Sequence, residues 1–539
     1  MALATVSACL SACFSTAGLS GGALFDAAAS LPSVDAAPNG PDAVELSPAS
    51  DARDAPASDG RRDANEGLDA RHDAALDLAP ATDIRRDTGG EVAPATDAEA
   101  SATVVVSPSQ VLATVGQDFV GLSYEKSHLA TGLFNGGNAN LVGLFGRVGA
   151  SLLRIGGNSV DHTSWTPGGA GQTSGTVSRP DVDALAAFLR AASWQALYGL
   201  NYATSTPAQA ADEAAYVATS LGDRLYGFEI GNEPDEYSSN SDEATTFGYA
   251  DFLTGWESYA AAITTAVPGA VLTGPAAAGN YATWTVPFAS AEAARIALLT
   301  QHWYRANGEA ATSTIDLLLS PIPSLLTEID ALVMATSAAK IAGGIRFAET
   351  NSFYNGGAPG ISDAFGSALW VLDYAFTQAE HGSAGINLHS GGEGTGYTPI
   401  ADSGSSVVEA RPEYYGVAMF ALATPGQVVQ TQVDLPDQPS SPLRAHAVLA
   451  DDGTTRIVLI DVDRTLALDV TVELARLATS AQAISLRGPS LDATSGVTLG
   501  GTSIAVDGSA TPLATSLPVS GSTVVVDLSP ASAVLLEVR

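Results

Sequence analysis

Cysteine is nearly absent from this 539-residue chain: Cys9 and Cys13 are the two, both near the start. The body after them forms no disulfide, offers no thiolate nucleophile and has no cysteine metal site. Positive charge is scarce, with 23 Lys and Arg against 58 Asp and Glu and a formal net charge of -35. Phosphate backbones need a basic face, so nucleic acid is excluded as a partner. The same balance argues against a heavily sulfated polyanion held in a basic groove. Long apolar runs are lacking, and none reaches the ~20 residues that span a bilayer. A hydrophobic share of 46% still supports a real core, and the length allows roughly two to three domains.

Residues 1–25 are apolar and small and look like a secretory leader. Leu10-Ser11-Ala12-Cys13 resembles a bacterial lipoprotein box, although no Lys or Arg precedes it. The expectation is an exported protein, periplasmic or on the outer surface, with membrane contact only through a lipid on Cys13. Residues 26–102 are rich in Ala, Asp and Pro, and lack Trp and Tyr. Up to residue 100 there are 17 acids and 6 arginines. So little apolar surface cannot offset the ordering entropy, which predicts a disordered tether. A Gly-x-Ser-x-Gly match at 18–22 has no strand-turn-helix context and is chance.

From about residue 103 strands and amphipathic helices alternate. Strands are predicted at 117–125, 151–157, 195–202, 224–232, 270–275, 297–304, 345–352 and 384–389. Helices are predicted at 181–193, 244–266, 322–341 and 362–380. The last repeats apolar residues at Phe365, Leu369, Leu372 and Phe376. Eight strand-helix units predict an α/β fold with a (β/α)8 TIM barrel over 103–412. After about residue 413 helices vanish and short β segments alternate with Gly, Asp and Ser turns. The expectation there is a C-terminal antiparallel β-sandwich, 413–539. The early segment 103–115 has no helix of its own and should join it as a strand.

Two glutamates stand at predicted strand ends. Glu233 closes Phe228-Glu229-Ile230-Gly231-Asn232-Glu233-Pro234, and Glu349 closes Ile345-Arg346-Phe347-Ala348-Glu349. Pro234 cannot continue a central strand, so the chain turns and exposes the Glu233 carboxyl. Asn232 can bond a sugar hydroxyl next to the scissile bond. Two carboxyls from different strand ends suit glycoside hydrolysis, where one donates a proton and the other attacks or stabilises the sugar cation. Each motif alone also fits a structural glutamate; the pairing at strands four and seven is what points to chemistry. His302, His381 and His389 show no metal spacing and read as core or rim residues. No cofactor motif or metal site is predicted, because two carboxyls suffice.

Three motifs in order carry a family resemblance: Leu153-Arg154-Ile155-Gly156-Gly157-Asn158-Ser159, Gly231-Asn232-Glu233-Pro234, and Glu349-Thr350-Asn351-Ser352-Phe353-Tyr354-Asn355-Gly356-Gly357. From about residue 105 onward the chain resembles the family 79 glycoside hydrolases, the β-glucuronidases and heparanases. The resemblance implies a retaining mechanism, with Glu233 as acid/base and Glu349 as nucleophile, and a barrel with a β-sandwich. Retention places the carboxyls about 5–5.5 Å apart, with Glu349 ionised and Glu233 protonated at the working pH.

The resemblance also implies that Tyr354, Gly396 and Tyr397 contact a sugar carboxylate. A glycine-rich turn such as 391–396 can aim amides at an anion. Glu393 in that turn departs from the expectation, since its charge would repel a uronate. Tyr304 is a candidate for contact with the sugar and also a candidate partner of the nucleophile. Asp118, Glu125 and Asn158 are candidates for sugar hydroxyls. The expected substrate is a glycan ending in glucuronic acid or its 4-O-methyl form, cleaved by exo action. Two rivals stay open: a retaining glycosidase for a neutral sugar, and a non-catalytic surface protein that binds acidic glycans. A separate reading makes the sandwich a carbohydrate-binding module, although its early strand suggests a structural partner of the barrel.

Overall fold

The computed structural model describes residues 99–539 apart from 241, 393, 395, 437, 439 and 440. The leader with Cys9 and Cys13, and the tether up to residue 98, lie outside the described residues, as does Glu393.

Eight parallel strands close a barrel: Val120–Glu125, Leu152–Gly156, Gln195–Leu200, Leu225–Ile230, Leu272–Ala277, Ile296–Tyr304, Ile345–Asn351 and Gly385–Ser390. Ile386 to Ser390 of the eighth pair with Val120 to Tyr124 of the first and seal the ring. The predicted strands match these within a few residues. They were legible because parallel strands are covered on both faces and read as short apolar runs. Helices on the outside start on recognisable caps. Ser178 opens helix Arg179–Ala192, and its N–H donates to Asp181 Oδ2 at 2.9 Å. Prolines occupy the first helical position of Pro207–Leu221, Pro323–Ala339 and Pro412–Ala423, where a missing N–H costs nothing.

The last of these corrects an expectation, because a helix follows where helices were expected to vanish. Helix Pro412–Ala423 packs on Phe365–Glu380 and Ala139–Val148 and completes the outer ring. Tyr414, Tyr415, Val417, Ala418, Met419 and Phe420 are all buried. A helix buried continuously from Pro412 to Phe420 has no polar face there, so its sequence carries little 3.6-residue contrast.

Beyond it, strands from Gly426 to Val538 form one large curled sheet. Strand Glu99–Val115 enters it centrally, antiparallel to Gly426–Asp434 and parallel to Ala467–Glu473. The expected early strand is therefore present, and its second pairing makes the otherwise antiparallel sheet mixed. Val104, Val106, Leu459, Val470, Val526 and Leu536 share one core inside the curl. On the other side Val448, Val458, Ile460 and Leu535 join the core of the barrel. At the joint, His446 stacks on Phe376 at 4.7 Å and reaches Glu380 Oε1 at 2.7 Å and Asp373 Oδ1 at 3.1 Å. Arg444 Nη1 donates to Asp373 Oδ2 at 2.6 Å.

Candidate active site

The C-terminal strand ends open into a cavity of about 620 Å³. Glu125, Asn158, Glu233, Tyr304, Glu349, Tyr354 and Tyr397 all line it. Seven residues named from sequence, drawn from six barrel strands or the loops after them, thus converge on one space. Asp118 does not. It precedes the first strand, so it sits at the opposite, N-terminal end of the barrel with Asp223 and Arg224. Distance along the chain from Glu125 hid a full barrel height.

Glu349 owes its direction to an irregularity. Pairing of the seventh strand with the sixth slips between Phe347 and Glu349, and pairing with the eighth slips between Phe347 and Thr350. Arg346 points inward to Asn387, so simple alternation would turn Glu349 outward. The slip re-phases the strand and aims Glu349 at the barrel axis. Thr350 then faces out and meets the Tyr374 hydroxyl at 2.8 Å.

Both carboxylate oxygens of Glu349 are held. Arg154 Nη1 donates to Oε2 and the Tyr304 hydroxyl to Oε1, each at 2.8 Å. His389 Nδ1 lies 3.4 Å from Oε2. Burial alone would raise this carboxyl. The His389, His302 and Arg154 charges and the Tyr304 hydroxyl outweigh it and hold Glu349 well below the usual carboxylate range. Arg154 is fully buried and also bonds Glu229 Oε2 at 2.6 Å and Asn232 Oδ1 at 2.8 Å. A bidentate-capable guanidinium ties strands two, four and seven into one hydrogen-bonded cluster.

Glu233 stands differently. Its φ of 51° is left-handed, a conformation that costs a residue with a side chain about 1–3 kcal/mol and gathers at functional sites. Its N–H donates to the Ala276 carbonyl at 2.9 Å, which fixes the turn. The side chain remains partly open to the cavity and meets His302 Nδ1 at 2.9 Å. One atom each of Glu233, His302 and Glu349 lie within 4.8 Å of one another. An ion would fit that spacing, but both Glu349 oxygens are already bonded and Arg154 supplies the positive charge. The donor set suits proton and carboxylate chemistry.

Around this pair, Asn232 Nδ2 bonds Asn158 Oδ1 at 3.1 Å. Glu125 accepts from the Ser159 amide at 2.7 Å and lies 3.6 Å from His389 Nε2. Burial raises the Glu125 carboxyl, yet the bond and charge of His389 bring it below its ordinary value. Burial lowers His389 in turn, and the Glu349 and Glu125 charges raise it above its ordinary value. Tyr304 contacts the rings of Tyr354 and Tyr397.

The glycine-rich turn differs from expectation. The amides of Gly391, Gly392 and Gly396 donate to Thr398 Oγ1, Asp402 Oδ2 and the Gly356 carbonyl. Gly396 therefore spends its N–H inside the loop pair, because the adjacent turn at Gly356 presents a carbonyl to it. His302 and His389, expected as plain core or rim residues, are buried against the two carboxylates. No spacing in the chain marks them; their place at the ends of strands six and eight is the one available signal.

No family model matches the chain. A β-glucuronidase of Neurospora crassa is 31% identical over 130 residues, 22% of this chain and 23% of that protein. The heparanase of Rattus norvegicus is 26% identical over 282 residues, 50% of this chain and 51% of that protein. The chain thus spans between about a quarter and half the length of these curated relatives. Among solved structures, a 4-O-α-L-rhamnosyl-β-D-glucuronidase from Fusarium oxysporum superposes with a TM-score of 0.67 at 20% identity, covering 80% of this chain and 99% of that one. A family 51 arabinofuranosidase from Xanthomonas axonopodis gives 0.61 at 18% identity, covering 82% and 100%. These likenesses establish the fold, a barrel with an attached sheet shared by glycoside hydrolases. The resemblance to the family 79 glycoside hydrolases, read from three ordered motifs, is borne out by the β-glucuronidase and heparanase relatives.

Proposed function

We propose that this chain is a retaining, exo-acting glycoside hydrolase that removes a terminal β-linked glucuronic acid from a glycan. The observation that carries the reading is the pair Glu233 and Glu349, from different strand ends, with atoms within 4.8 Å of each other. Retaining enzymes hold their carboxyls about 5–5.5 Å apart, while inverting ones leave about 6.5–9.5 Å for a water. The surroundings divide the roles. Glu349, kept ionised by Arg154, Tyr304 and His389, attacks the anomeric carbon. Glu233 gives its proton to the departing oxygen, and then takes one from the water that frees the sugar. The named activities of the relatives support the glucuronide.

One observation favours a second reading, a neutral sugar on the same machinery. The described lining holds Glu125, Glu233, Glu236, Glu328 and Glu349 with no Lys or Arg. Hydrolysis of 4-nitrophenyl β-glucuronide and β-glucoside, with Glu349→Gln beside the parent, separates the readings. Glucuronide turnover lost in the variant, with the β-anomer formed first, supports the proposal. Faster glucoside turnover transfers it to the neutral sugar. Glycan binding without turnover of either replaces it with a binding protein.

A further inference from the structure

The cavity contains a carboxyl that the chemistry above leaves unused. Glu328 lies in the second turn of helix Pro323–Ala339 and lines the same wall as Trp303. It is 9% exposed, and its Oε1 is shielded from solvent with no hydrogen-bond partner. Burial alone pushes its carboxyl up to about 8, with no cation against it among the described residues. A neutral acid offers an O–H donor, whereas an ionised one only accepts.

Its surroundings leave that donor free. Helix Thr285–Ala291, packed on Pro323–Ala339, carries no ionisable side chain. Strand Ile345–Asn351 brings Arg346, bonded to Asn387, and Glu349, held by Arg154 and Tyr304. Asp330, on the same helix, is bonded to His381. Tyr374 of helix Phe365–Glu380 is near enough for an ionised Glu328 to raise it, but its hydroxyl is bonded to Thr350 and Gln378. Across the cavity stand Glu125, Glu233, Glu236 and His389, with the phenols Tyr304, Tyr354 and Tyr397. A wall so rich in acceptors needs donors to hold a sugar.

We infer that Glu328 is a substrate-binding residue whose carboxyl donates a hydrogen bond to an acceptor oxygen of the bound glycan. This rests on the glycosidase reading of the site. The oxygen belongs either to a sugar carboxylate or to a neutral group, and the substrates tell them apart.

The test measures KM and kcat of the parent, Glu328→Leu and Glu328→Gln on both aryl glycosides from pH 5 to 9. Leucine removes the donor; glutamine keeps one and cannot ionise. At pH 6 we expect Glu328→Leu to raise KM about tenfold, the worth of one such bond, with the loss in KM rather than kcat. Glutamine restores most of it. The parent KM should climb above pH 8 while that of Glu328→Gln stays flat. A loss larger on the glucuronide assigns the oxygen to the carboxylate; equal losses assign it to a neutral group. An unchanged KM in Glu328→Leu, or a glutamine variant as impaired as the leucine one, overturns the inference. Should leucine unfold the protein, the pH dependence of parent against glutamine decides alone. If the parent cleaves neither glycoside, the glycosidase reading fails. Calorimetric titration with free glucuronate and glucose, using the same variants, then still decides the role of Glu328.

Discussion

Glu349 gains its low proton affinity from neighbours, each of which can be removed. The Tyr304 hydroxyl donates to the ionised form and so lowers the pKa. In Tyr304→Phe the Glu349 carboxyl should rise by about one unit, since a hydrogen bond to a charged group is worth about 1.5–3 kcal/mol. The acid limb of kcat/KM then moves to higher pH, and kcat/KM falls by about tenfold at the optimum. A pH-rate profile reads both, and an acid limb that stays in place would show that Tyr304 does not set the charge of Glu349. The two glutamates were legible because a proline or an amide side chain beside a strand end is a local signal. Arg154 stood inside a recognised motif, yet nothing in that motif told that it would bond Glu229, Asn232 and Glu349 together. His302 and Glu328 take their meaning from groups far away in the chain. Asp118 misled because strand direction, rather than proximity in sequence, decides which end of a barrel a residue reaches.

At the scale of elements, the barrel strands announced themselves through short apolar runs, while the irregularity near Ala348 did not. Register slips depend on neighbouring strands and leave no composition behind. Helix Pro412–Ala423 was missed for the opposite reason, too uniform an apolar character. The joint between helix Phe365–Glu380 and strand Leu443–Leu449 carries its own pH dependence. Burial lowers His446, but Glu380 and Asp373 raise it to about 9. A folded pKa above the unfolded ~6.5 stabilises fully below that value and fades as pH rises through about 9. Burial raises Asp373, and Arg444 with His446 brings it below its ordinary value. Its contribution is present above ~4 and is lost as pH falls further. Thermal unfolding of the parent should therefore exceed that of His446→Gln by about 2–3 kcal/mol near pH 6. The gap should close by pH 10, and a gap constant with pH would mean that the charge of His446 contributes nothing.

For the whole molecule, the strand Glu99–Val115 decides where the chain can be cut. The described residues from Glu99 onward form a single compact unit. A protein beginning at Val92 should keep the parent's melting temperature. One beginning at Gly116 loses the strand between Gly426–Asp434 and Ala467–Glu473 and opens the core around Val104 and Val106. We expect it to be insoluble or unfolded by circular dichroism; a shortened protein that melts like the parent would contradict the central role of the strand. The same strand also imposes an order in time. It leaves the ribosome before the barrel, whereas both strands that flank it are made after the barrel is complete. Until those strands are made its two edges stay unpaired, a state that invites association between chains. The pairings that capture it span nearly the entire unit, which is the kind of contact that slows folding most. Pairing of this strand therefore waits for the part of the chain that follows the barrel, and a chain stalled before Gly426 would hold the barrel's strands with an unclaimed ribbon at their beginning.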